Sequence, residues 1–111
     1  MDLHRLSNGE IFSHTWVPLH TTAVHGHEVT ARELIAVGAD VDHADKDGST
    51  ALMWAAQYGR EVIVRELIAA GADVDHASKY GYTALILAAH RGREVIVREL
   101  IAAGADVNHA N

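Results

Sequence analysis

Nine histidines and fifteen carboxylates in 111 residues are the groups of this chain able to hold a metal ion or move a proton. His43, His76 and His109 recur at one constant interval. A zinc ion needs its ligand nitrogens about 2 Å from one centre, whereas helical units stacked on one another stand ~8–10 Å apart. That row shares no ion, and its histidines read as side chains copied with a repeat. His25-Gly26-His27 offers two imidazoles to an adventitious zinc or nickel ion, without a third ligand at helical spacing. Cysteine is absent, so neither a thiolate site nor a disulfide can form. Asp40, Asp73 and Asp106 recur at the same interval as the histidines. Acid–base catalysis requires carboxylates in unlike environments, and a repeat gives each copy the same one. With no glycine-rich phosphate loop and no nucleophile beside a base, the sequence predicts no enzyme, no metal and no cofactor.

The elements that carry these groups are set by a duplication. The segments 59–77 and 92–110 both spell GREVIVRELIAAGADV(D/N)HA and differ only at Asp75/Asn108. A period of roughly 33 residues marks stacked helical units, each too small to bury its own apolar face. In the middle unit, Asp45-Lys46-Asp47-Gly48 has the residue preferences of a type I turn, the tip of a hairpin-like finger. Thr50 is placed to cap a short helix carrying Ala51, Leu52, Ala55 and Ala56, which Gly59 ends. A second helix is predicted over about 60–70, with Val62, Ile63, Val64, Leu67 and Ile68 apolar and Gly71 as its stop. Arg65, one helical turn after Glu61, is expected to pair with it on the wet face.

On these residues the chain resembles an ankyrin-repeat protein, whose units read turn, T-P-L-H-x-A, helix, Gly, helix, G-A-D-V-N. The match falls on Gly48, Thr50, Leu52, Ala55, Ala56, Gly59, Val64, Leu67, Gly71, Ala72, Asp73 and Val74, and again one period later from Gly81 to Asn108. A more worn copy runs through Pro18-Leu19-His20, Gly26, Leu34, Gly38, Ala39, Asp40 and Val41. The resemblance implies an all-α solenoid of helix-turn-helix units with β-turn fingers. Its expected division is a lead-in or capping segment at 1–14 and units at 15–44, 45–77 and 78–111. Leu6 to Phe12, with an Asn-Gly turn signal, forms a finger or a flexible lead-in. Leu100 and Asp106-Val107-Asn108 also fit the pattern by which an asparaginyl hydroxylase modifies such repeats, which makes Asn108 a candidate substrate.

The two ends differ. Thr21, Thr22, Thr30 and Ala31 stand where the middle unit has Trp54, Ala55, Ile63 and Val64, which predicts a polar outer face on the first unit. The last unit keeps Val95, Ile96, Val97, Leu100 and Ile101, which predicts an uncapped apolar face. Either the chain is a piece of a longer array, or that end packs on another molecule, self-association included.

Between units two and three the differences are confined. They are Asp45/Ser78, Asp47/Tyr80, Ser49/Tyr82, Met53/Ile86, Trp54/Leu87, Gln57/His90 and Tyr58/Arg91, all in the finger and first helix. In the resembled fold those elements form the concave surface by which ankyrin repeats hold protein partners. Asp47, Ser49, Trp54, Gln57, Tyr58, Tyr80, Tyr82, His90 and Arg91 are therefore the candidate partner-binding residues, with Tyr, Trp and Arg the types that dominate interface energetics. Met53, Ile86, Trp54 and Leu87 read equally well as packing between neighbouring first helices. A formal charge of −6 without a basic stripe argues against nucleic acid. No apolar run approaches the ~20 residues of a membrane span, and the lack of cysteine fits an intracellular protein, cytoplasmic or nuclear.

Overall fold

The computed structural model describes residues 17–108. The segment 1–14, with its expected finger or lead-in, and His109 of the histidine row lie outside the described residues. Among the described residues six helices follow in pairs: α1 (Pro18–His25) and α2 (Glu28–Ala36), α3 (Ala51–Tyr58) and α4 (Glu61–Ala69), α5 (Ala84–His90) and α6 (Glu94–Ala102). First helices pack on first helices, α1 on α3 on α5, and second on second, α2 on α4 on α6. Two layers result, in an elongated body of 44 × 27 × 22 Å with no strand among the described residues. The fold is an all-α repeat.

Local chemistry accounts for the helix starts. The Thr50 hydroxyl accepts from the Met53 amide at 3.4 Å and that of Thr83 from the Ile86 amide at 3.2 Å, satisfying N–H groups the first turn leaves free. At the matching place α1 has Val17, which offers no cap, and Pro18, which needs none for its own nitrogen. Each finger closes on its own backbone. The Asp45 amide donates to the Ser49 carbonyl at 2.9 Å, and the Ser78 amide to the Tyr82 carbonyl at 2.8 Å. One side-chain oxygen orders each tip: Asp45 Oδ1 accepts from the amides of Asp47 and Ser49, as Ser78 Oγ does from those of Tyr80 and Tyr82. The fingers are joined by the Lys79 amide donating to the Asp47 carbonyl at 3.0 Å.

Two glycines separate backbone strain from contact. Gly48 and Gly71 have φ of +80° and +90°, but a Cβ on Gly48 would lie 3.1 Å from the Lys79 nitrogen, whereas one on Gly71 would meet nothing within 4 Å. Gly71→Ala should cost about 1–2 kcal/mol for the left-handed backbone alone. Gly48→Ala should cost a further ~1–3 kcal/mol, because it pushes the two fingers apart. Urea unfolding of both variants checks this, and equal losses would refute the finger contact.

Burial shows which way each position looks. Ile63 and Ile96 are both fully buried, and their counterpart Thr30 in the first unit is exposed, so this position faces the preceding unit. Leu52, Ala56 and Val64 are fully buried, but Leu85 and Val97 are half-buried and Ala89 exposed, so these face the following unit. Two expectations are corrected here. Ile96 and Leu100 do not belong to the uncapped end; Leu85, Ala89, Val97 and Ile101 form it. Thr22 and Ala31 are buried rather than part of a polar outer face, Thr22 because its hydroxyl donates to the Leu19 carbonyl at 2.8 Å and so enters the core already paired.

Polar bonds between units also follow the period. Arg60 donates through Nε and Nη2 to the Val24 carbonyl at 3.2 and 2.8 Å, and Arg93 through Nε to the Gln57 carbonyl at 3.3 Å. Each arginine thus satisfies a carbonyl at the C-terminus of the preceding first helix, where positive charge is favoured. Asp40, Asp73 and Asp106 each accept from the amide two positions on, and so shape the loop after each second helix. The expected Glu61–Arg65 pair is not formed. Arg65 reaches Glu99 of the next unit at 3.8 Å, as Arg32 reaches Glu66 at 3.1 Å, because stacked second helices put those carboxylates alongside. Both pairs are exposed and add little stability.

Candidate functional site

The first-helix layer and its fingers carry all nine candidate residues, distributed over three places. Trp54 and Tyr58 stack at 6.1 Å between centroids with planes 10° apart, one helical turn separating them on α3. They wall a cavity of about 260 Å³ with His20, Val24 and His25 of α1 and Asp45 of the finger. Gln57, Tyr82, His90 and Arg91 share a second cavity of about 250 Å³ with Ile86 and Leu87, between α3 and α5. Asp47, Ser49 and Tyr80 sit on the fingers. Asp47 accepts from the Lys79 ammonium at 3.2 Å, and that ammonium lies 5.2 Å from the Tyr80 ring centroid. The Asp47 bond, with Tyr80 adding to it, holds the Lys79 amine above its ordinary range. Ser49 has its backbone committed to finger closure.

Exposure separates surface from scaffold among these. Tyr80 and Tyr82 are 60% and 41% exposed and Tyr58 38%, large apolar areas open to solvent on one layer. Met53 is buried at 2%, so of the four residues read equally as packing it belongs to the core. Trp54, Ile86 and Leu87 are half-buried, each lining one of the two cavities.

His20 and Asp45 were not singled out by residue type, yet they form the floor of the first cavity. His20 Nε2 lies 2.9 Å from the His43 carbonyl. A carbonyl only accepts, so Nε2 carries the proton and Nδ1 bears a lone pair. Nδ1 is fully buried without a hydrogen-bond partner, 4.0 Å from Asp45 Oδ2. Burial lowers the His20 pKa, outweighing the His43 bond and the attraction of Asp45, so the ring is neutral at neutral pH. Asp45 Oδ2 accepts from the Trp54 indole N–H at 3.2 Å, which fixes the aromatic wall. The only hint in the sequence was that Asp45 and Trp54 change together, to Ser78 and Leu87, in the next unit.

His76 of the histidine row has a structural contact, its Nε2 lying 2.9 Å from the Gly48 carbonyl of the finger. Among the described residues no three histidine, aspartate or glutamate side chains converge on a point that could hold a metal ion. Among them too, no helix is long and apolar enough to cross a membrane.

The paired helices, the capping threonines and the recurring aspartate loops fit one family. The model for ankyrin repeats matches residues 19–111, with three copies. The chain belongs to the ankyrin-repeat family. A comparison with curated proteins gives no match. Ankyrin repeats are in general protein–protein interaction modules and typically without catalysis of their own. In this ankyrin-repeat chain the finger and first helix differ between units two and three while the second helix is copied, so the first-helix layer is where those two units are individual.

Proposed function

We propose that this chain is a non-enzymatic recognition module that holds a protein partner on its first helices and finger tips, through Tyr58, Tyr80, Tyr82, His90 and Arg91 with Trp54, Gln57, Asp47 and Ser49 around them. One observation carries the reading. On the second helices Glu61/Glu94, Arg65/Arg98 and Ala69/Ala102 are exposed in both units and identical, whereas in the first-helix layer, where Lys46/Lys79 is shared, the partly or fully exposed pairs Asp47/Tyr80, Ser49/Tyr82, Gln57/His90 and Tyr58/Arg91 all differ. Tolerance of change at wet positions would alter both layers alike. The divergence instead follows one face, and it installs aromatic residues and an arginine there.

A photo-reactive amino acid placed at Tyr82 or His90 should form adducts with a discrete cellular protein, and one at Glu61 or Glu94 should not. Adducts from both layers in equal yield would sink the proposal. The open end at Leu85, Ala89, Val97 and Ile101 favours a second reading, a structural segment whose last unit stacks on another copy or on further repeats. It requires a molecular mass that rises with concentration in light scattering.

A further inference from the structure

Finger closure needs nothing from Asp45 that Ser78 does not also supply. One oxygen of each accepts from the two tip amides, Asp47 and Ser49 in one finger and Tyr80 and Tyr82 in the next. Finger closure therefore needs neither the second carboxylate oxygen nor the negative charge of Asp45. Oδ2 accepts from the Trp54 indole N–H, both residues line the cavity, and the Asp45 side chain is only 4% exposed. No lysine or arginine pairs with it among the described residues. Among the described residues the ionisable group set against it is His20, 5% exposed and kept neutral, with the unpartnered Nδ1 4.0 Å from Oδ2, and His25 lines the same cavity. The lining of this cavity thus includes hydrogen-bond acceptors and a carboxylate that no lysine or arginine of the described residues pairs with, beside two aromatic rings stacked with planes 10° apart.

We propose that the cavity between α1 and α3 receives a basic side chain of the protein partner, an arginine in preference to a lysine, over Asp45 and against the Trp54 and Tyr58 rings. The inference rests on the recognition reading above and specifies the chemistry of the partner. A volume of about 260 Å³ suits one long side chain rather than a larger group. A guanidinium brings donors to a floor of acceptors, is weakly hydrated, and lies flat on aromatic faces, which an ammonium does less well. Attraction to a carboxylate is strongest where water is excluded. The neighbouring cavity has the opposite character. There Leu87 and Arg91 stand in place of Trp54 and Tyr58, His90 is beside Arg91 and the lining holds no carboxylate, so a basic side chain is selected in the first cavity and not in this one.

The probe is capped arginine amide, titrated into the full chain at neutral pH and followed by the Trp54 indole N–H resonance in heteronuclear NMR, with capped citrulline amide as the neutral isostere. A Trp16→Phe background leaves Trp54 as the single indole signal. Arginine should shift the resonance saturably, and citrulline should bind at least about tenfold more weakly. Asp45→Ser, which copies what the third unit already uses, keeps the finger closed and should remove the difference between the two probes. Tyr58→Ala, at an exposed site, should weaken arginine alone. Equal shifts from the two probes, or arginine binding unchanged by Asp45→Ser, would overturn the assignment. Refusal of arginine while adducts still form from Tyr82 and His90 removes this inference and leaves the recognition reading standing; saturable arginine binding without such adducts leaves only the cavity's preference for a guanidinium and removes the partner from both.

Discussion

Val64→Asp is expected to unfold the chain, and Val97→Asp, the same substitution in a helix of identical sequence, is expected to leave it folded. α4 and α6 both read EVIVRELIA, so propensity, charge pattern and flanking residues are the same. What differs is the neighbour. Val64 is fully buried between α4 and the unit that follows, whereas Val97 is half-buried at an end whose other members, Leu85 and Ile101, are also open. An unpaired carboxylate at Val64 costs at least ~3–5 kcal/mol, as much as the whole stability of a domain at the lower end of the ~5–15 kcal/mol range, where a chain of three small units belongs. At Val97 the carboxylate can reach water, and the loss should be about 1 kcal/mol. Circular dichroism melts of the two variants decide it. A Val97→Asp chain as unfolded as Val64→Asp would mean that the last unit is covered by something in solution. Such a result would favour stacking, because only an occupied end makes the two valines equivalent.

That comparison also shows what one dimension can and cannot display. The period, the Thr50 and Thr83 caps, the turn at Asp45–Gly48 and the aspartates after the second helices are local features, set by near neighbours in the chain, and all were legible. Relations between units were not. Arg65 could choose Glu61 one turn back or Glu99 of the next unit, and only the spacing of the stacked helices selects the latter. Ile96 and Val97 are adjacent and equally apolar, yet one faces the preceding unit and the other the open end. Thr22 looks polar on paper and is buried because its hydroxyl turns back on its own helix.

The first cavity was illegible for a related reason. Asp45 has an evident local role as a turn former, which hides a second role for its other oxygen, at Trp54 in the following helix. His20 occupies the position of Met53 and Ile86 in the other units, so in the sequence it reads as one residue of the worn first copy rather than as part of a cavity lining. Comparing units, rather than reading one, exposes such residues. The fold needs a side-chain oxygen at position 45, and the serine at position 78 shows how little else it needs.

The same comparison leads to the largest expected effect on binding. The double variant Tyr80→Ala, Tyr82→Ala should weaken affinity for the protein identified through Tyr82 or His90 by about a hundredfold or more, as expected when two aromatic hot-spot residues are truncated together. Stability should hardly change. Tyr80 and Tyr82 are 60% and 41% exposed, and their amides, not their rings, bond Ser78 Oγ and keep the tip in shape. Middle-unit counterparts Asp47 and Ser49 hold an equivalent tip without any aromatic ring, so the finger does not require one. Affinity and unfolding midpoint, measured on the same samples, separate the two effects. A Glu61→Ala, Glu94→Ala variant on the opposite layer should change neither. If the tyrosine pair alters affinity by less than about threefold, its exposed area is incidental to recognition and binding must rest on the cavity residues around Trp54 and Arg91.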